Sequence, residues 1–354
     1  MYVTQENNEH TAVPHAGHQS DVQVTSKKER VAALDWLKGA LVVFMVIYHA
    51  LNYSVDYNEW AWRLMAFLPP SFILITGLLL TNSYLSRYRA TDPHLHQRLL
   101  ARGAKLVLLF VALNVGLVLL RSAGGGQAFT ALEELATRWY EIFFAPSQRV
   151  TSSSILLSIA YVLLVASPLL LLYWIRPWLL PVLSTILVVG CCFFEWKQNL
   201  NYYVEMVTFG IVGMSLGMIP LERLEGFARK WVFILPAYAI YRLCSYFFSE
   251  IYPVRLTGTM LSLSILFGIA LVLSQTGFAY RQFVLLGRYS LFGYIFQLVV
   301  LQVVRAVLPI EEPTASFLIM MLITLVLTWL ATVVVEKLRQ TVQLFDATYK
   351  LVFA

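Results

Sequence analysis

Residues 34–53 set four chemically capable side chains, Asp35, Lys38, His49 and Asn52, into an otherwise apolar run. Lys38 and His49 are eleven positions apart, and at about 100° per residue an α-helix returns them to nearly the same angle. Asp35 and Asn52 fall on that side too, with Val42 and Met45 between. Written as a helix, the run carries one polar stripe. Its two charged groups sit at one end, and the histidine lies about 16 Å along the axis at roughly 1.5 Å per residue. Histidine is the side chain best suited to take a proton near neutral pH, so the stripe reads as general-base machinery. The competing reading is a histidine hydrogen-bonded to a neighbouring helix and a lysine snorkelling to the polar boundary.

Three further groups invite a chemical reading. Arg87, Arg89, Arg98, Arg102 and Lys105 crowd one stretch, and such a cluster suits phosphate. An excess of basic residues in cytoplasmic loops explains the same residues without a ligand; Arg102 and Lys105 resist that explanation best, because they enter an apolar run. Glu195 and Glu205 flank a short connection with Trp196, Tyr202 and Tyr203. Carboxylates beside aromatics suit a sugar acceptor, whereas aromatics at a membrane boundary are ordinary. Arg242 and Arg305 fall within apolar runs and call for partners, carboxylates such as Glu250 among them. His10, His15 and His18 are irregularly spaced in a polar N-terminal stretch, and Cys191, Cys192 and Cys244 form no CxxC pair, so no metal site is expected.

The elements that must position these groups are membrane helices. The chain is 59% hydrophobic and 13% charged, against roughly 45–50% and 25% in soluble domains. Apolar runs at about 34–54, 66–86, 103–121, 153–175, 178–195, 203–219, 231–250, 257–276, 286–308 and 315–336 match the ~20 residues that cross a bilayer. The expected fold is an all-α polytopic bundle of about ten spans, with the lipid bilayer its first partner. With the N-terminus cytoplasmic, the connections outside hold only Arg63, Arg121, Arg138, Arg149, Lys197 and Arg255, while seventeen basic residues fall inside. Both termini are therefore expected in the cytoplasm, in a multi-pass cell-membrane protein. Residues 1–29 read as a disordered cytoplasmic tail, 30–340 as the membrane domain and 341–354 as a C-terminal cytoplasmic tail. The basic residues form no continuous patch, which excludes nucleic acid as a partner. The longest connection, 121–152, reads as an interfacial cover on the outer side.

Arg30, Leu34-Asp35, Lys38-Gly39 and His49, with ten residues between Lys38 and His49, resemble the opening helix of the integral-membrane acyltransferase superfamily: acyltransferase family 3 with its heparan glucosaminide acetyltransferase relatives. Pro70 to Leu80, with Thr76-Gly77, resembles the family's second helix. Arg98, Arg102 and Lys105 resemble its arginine cluster, and Gly287-Arg288-Tyr289-Ser290-Leu291-Phe292-Gly293-Tyr294 is similar to its Gly-x-x-Ser-x-x-x-Tyr signature. Lys38 stands where most members carry Arg, and Gln297 where many carry a late His. The resemblance implies transfer of an acyl group, acetyl foremost, from cytoplasmic acyl-CoA to a hydroxyl or amine of a glycan or lipid-linked saccharide on the outer side. His49 would be the base, assisted by Lys38 and Asp35; Arg98, Arg102 and Lys105 would hold the donor's phosphates; Asn52, Glu195 and Glu205 would meet the acceptor. Polysaccharide-synthesis proteins would be natural partners. A transporter or flippase for a lipid-linked saccharide or small solute is the alternative, although no internal repeat is found and no Gly/Pro-broken helices occur at matching positions.

Overall fold

The computed structural model describes residues 17–54, 63–84, 90–122, 132–133, 136–144, 153–247, 251–273, 277–307 and 312–353. It is nine-tenths helical, with no strand among the described residues. In chain order the helices are α1 (Gly17–Ser54), α2 (Leu68–Leu79, running into a π turn at Leu80–Tyr84), α3 (Pro93–Ser122), α4 (Trp139–Phe144) and α5 (Ser154–Ile175). There follow α6 (Leu179–Trp196), α7 (Tyr202–Leu216), α8 (Leu221–Ala228), α9 (Trp231–Phe247) and α10 (Tyr252–Val272). The last four are α11 (Phe278–Arg288), α12 (Ser290–Val307), α13 (Pro313–Thr341) and α14 (Gln343–Phe353).

Eight of these helices are long and apolar enough to cross a membrane, and the protein is a multi-pass membrane bundle. The two expected spans outside that count are irregular. The apolar run of α9, Trp231–Ser245, is short, and α7 turns through 105° into α8. The turn at Gly217–Pro220 has a local cause: proline has no N–H to continue the ladder, and here Pro220 serves as the N-cap of α8. The glycines of α7 make a close helix crossing. A Cβ on Gly213 would lie 2.1 Å from the carbonyl oxygen of Leu74, and one on Gly77 would lie 1.9 Å from that of Gly210. Where lipid removes the hydrophobic drive between helices, such small-residue faces let backbones pack by contact.

Residues 17–29 continue α1, and residues 1–16 lie outside the described residues. Residues 343–353 form α14 and fold back on the bundle, because Arg339 donates from Nε to Asp346 at 2.8 Å and its guanidinium lies 4.4 Å from the Tyr349 ring centre. Asp35 faces Arg288 at 3.8 Å, and the next residue, Tyr289, accepts from Arg339. The chain therefore enters and leaves the bundle at one end. At the other end α4, from the expected interfacial cover, is pinned by its carbonyls: Ile142 accepts from the Tyr203 hydroxyl at 2.6 Å and Phe143 from the Tyr161 hydroxyl at 2.7 Å.

Candidate active site

Two glycines bring the opening helix against the late signature. A Cβ on Gly287 would stand 1.6 Å from the carbonyl oxygen of Asp35, and a Cβ on Gly39 would stand 1.9 Å from that of Phe283. Only glycine permits α1 and α11 to approach so closely, and Trp36 stacks on Phe283 beside them, ring centres 5.1 Å apart. The approach sets Asp35 between two cations. Lys38 Nζ lies 2.6 Å from its Oδ1 and Arg288 Nε 3.8 Å from its Oδ2. Lys38 and Asp35 are thus a pair within one helix turn, held at the corner where α11 ends and α12 begins.

From this corner an apolar cavity of about 170 Å³ enters the bundle. Lys38 and Ser290 line one part of it and Tyr294 another; Phe72, Ile75, Leu79, Leu106 and Ile159 are among its apolar walls. The signature is thereby explained residue by residue: Gly287 permits the crossing, while Ser290 and Tyr294, one helix turn apart, face the cavity. The Tyr294 ring lies 6.4 Å from the imidazole of His49, and Tyr48 lies 5.5 Å from it on the other side. The Nε2 of His49 is buried without a hydrogen-bond partner. A buried nitrogen left unpaired costs about 1–3 kcal/mol, which a merely structural histidine avoids. His96 of α3 is such a histidine, with Nδ1 at 2.9 Å from Ser167 Oγ and Nε2 at 2.8 Å from the Ala90 carbonyl oxygen.

The remaining expected site residues are placed unevenly. Arg102 lies one turn before the cavity-lining Leu106 on α3, on the same side of the helix; Arg98 is exposed and Lys105 half-buried. Arg87 and Arg89 lie outside the described residues. Asn52 is exposed at the end of α1, apart from the cavity. Glu195 and Glu205 are both engaged by Arg255, whose Nη2 and Nε reach them at 2.7 Å each. Glu195 also accepts from the backbone N–H of Tyr252. The clamp ties the end of α6 and the starts of α7 and α10 together, a role that no spacing in the sequence announces. Arg242 likewise finds a backbone partner, the Arg63 carbonyl at 3.1 Å, and Arg305 lies 5.5 Å from the centre of the Tyr53 ring; Glu250 is outside the described residues.

Tyr289 escaped the sequence reading although it sits inside the quoted signature. Its hydroxyl donates to Glu336 and accepts from Arg339 Nη1 at 3.0 Å. Burial first, then the Glu336 carboxylate, pushes this phenol up to about 12, so it remains a donor at neutral pH. The α11–α12 corner is in this way braced by the end of α13.

A family model described as an acyltransferase domain, that of acyltransferase family 3, matches residues 31–333. The chain belongs to acyltransferase family 3. The match takes in the Lys38–His49 helix, the α3 basic cluster and the Gly287–Tyr294 signature, of which Lys38, Ser290 and Tyr294 line the cavity. No curated protein and no solved structure matches the chain. This family member is a membrane acyltransferase.

Proposed function

We propose that the protein transfers an acyl group, acetyl foremost, from cytoplasmic acyl-CoA to a hydroxyl or amine of a glycan or lipid-linked saccharide, with His49 as general base. The observation that carries this reading is the buried, unpartnered Nε2 of His49, next to the Tyr294 that lines a cavity reaching back to Lys38. Such a cavity suits the slender pantetheine arm of coenzyme A, whose thioester would then come to rest near the imidazole. In this reading Arg102 and Lys105, with the exposed Arg98, supply charge-assisted bonds to the nucleotide phosphates.

In this reading Nε2 of His49 takes the proton from the acceptor hydroxyl as its oxygen attacks the thioester carbonyl. The new C–O bond forms, the C–S bond breaks, and the thiolate leaves with the electron pair. The imidazolium returns its proton to the thiolate, so atoms and charge balance. Lys38, held by Asp35, keeps the entrance to the cavity electropositive for the donor. Orientation with both termini in the cytoplasm places the donor on the cytoplasmic side, in accord with the distribution of basic residues. The transporter reading retains the broken α7–α8 pair in its favour but has no repeat and, among the described residues, no second bent pair to match it.

His49→Gln keeps bulk and hydrogen bonding but removes the proton acceptor. Its turnover per molecule is expected to fall about 10² to 10⁴-fold, with acyl-CoA still bound. Acyl transfer by purified His49→Gln at close to the wild-type rate overturns the proposal.

A further inference from the structure

A second set of buried polar groups lies on α12 and α13, outside the residues that line the cavity. Gln297 on α12 is fully buried, and neither its amide nitrogen nor its amide oxygen has a partner. Thr324 and Thr328 on α13 are as deeply buried, and their hydroxyls are also unpartnered. Three helices converge there: a Cβ on Gly293 of α12 would meet Val42 of α1 at 3.5 Å and Thr328 at 3.6 Å. Thr328 meets Gly293, and Met320 clusters with Leu301, so α12 and α13 run in opposite directions. One turn beyond Gly293 is Gln297, and one turn back along α13 from Thr328 is Thr324; both steps lead the same way through the bundle. The amide and the two hydroxyls therefore share one level of the interior, and Gln297 lies one turn beyond the Tyr294 that neighbours His49.

Threonine on a buried membrane helix ordinarily returns its hydroxyl to the carbonyl four residues back. Thr332, the next residue of this stripe, does so to Thr328 at 2.8 Å. Thr324 and Thr328 do not, which leaves their hydroxyls for another partner. An amide with two donors and two acceptor lone pairs, and two hydroxyls that can do both, cannot stay unsatisfied together at zero exposure without a large penalty. Water satisfies all of them, since a buried water makes about three hydrogen bonds to such groups.

We propose that Gln297, Thr324 and Thr328 bind a small cluster of buried water between α1, α12 and α13, and that this water reaches Nε2 of His49 and passes the acceptor's proton to it. Gln297 is then a positioning residue. The link to His49 rests on the proposed general-base role, whereas the hydration of the site does not.

Two measurements separate these parts. In the purified Thr324→Val/Thr328→Val protein the hydroxyls become methyl groups of the same shape. If the site is wet, the water loses partners and the midpoint of thermal unfolding falls by about 2 °C or more. A midpoint that stays or rises means a dry site and overturns the proposal, whatever the enzyme's activity. Gln297→Met preserves length without the amide. Its kcat is expected to fall on the order of tenfold to a hundredfold, with KM for acyl-CoA unchanged, as for a misplaced catalytic group. An unchanged kcat overturns the connection to His49.

Discussion

Two polar clusters lie in this bundle, and they differ in how fully their groups are answered. At one end of the bundle Arg255 grips Glu195 and Glu205 at 2.7 Å each, and Glu195 also takes the Tyr252 N–H. In the interior, His49 Nε2, both amide atoms of Gln297 and the hydroxyls of Thr324 and Thr328 meet no partner, and Tyr294, the neighbour of His49, lines an apolar cavity. A satisfied buried cluster has nothing left to offer a ligand; it joins helices. An unsatisfied one costs stability, and a protein keeps it where a molecule from outside completes it. The difference separates two carboxylates already held by a cation from a histidine with a nitrogen still open.

The contrast is sharpest if the largest changes separate activity from stability. His49→Gln should remove about 3–5 kcal/mol of transition-state stabilisation, the equivalent of its loss in rate, and leave the unfolding midpoint near wild type. Arg255→Met should do the reverse. It leaves two carboxylates without their cation and destabilises the protein by about 3–5 kcal/mol, while folded molecules turn over normally. A wild-type melting curve for Arg255→Met, measured in detergent, would break the comparison from the structural side.

A smaller effect tests whether packing holds the active end. Gly287→Ala introduces a methyl group where the Asp35 carbonyl oxygen already stands. Backbone cannot swing away as a side chain can, so α1 and α11 must part. The expected cost is about 1–3 kcal/mol, with a raised KM for the donor as Asp35 and Lys38 move. Unaltered donor KM in Gly287→Ala would separate the helix crossing from the site.

The smallest effect concerns α14. Asp346 titrates below the usual carboxylate range because Lys350 first, and Arg339 next, hydrogen-bond its charged form. The docking energy it supplies is therefore complete above about pH 3.9 and is lost as pH falls through the lower folded value. A spin label at Val352 should report α14 loosening only at acid pH. The same acid transition in Asp346→Asn would assign it to another group.

How much of this was readable from residue order depends on distance along the chain. The Asp35–Lys38 pair and its alignment with His49 follow from helical periodicity, and both survive in the fold. Asn52 obeys the same periodicity, yet it lies exposed while Tyr53 and Ser54 beyond it meet Gln302 and Met320. Periodicity names a face of a helix but not which part of that face a neighbour covers. Gln297 stands out in the sequence only against the family's late His, and Thr324 and Thr328 not at all, since threonine is common in membrane helices; complete burial without partners marks all three. Arg255 read as one more basic residue of an outer connection; its partners come from two other helices, fifty and sixty positions away.

By itself the sequence determined the membrane architecture, because only apolar runs of bilayer length can lie in lipid with every backbone group paired within a helix. It also determined the family, through motifs whose order along the chain is their information. Tertiary structure alone decided which polar groups are spent and which are open. Hydrogen bonds and ion pairs form between atoms that packing brings within about 3 Å, and residue order does not state that separation for groups on different helices.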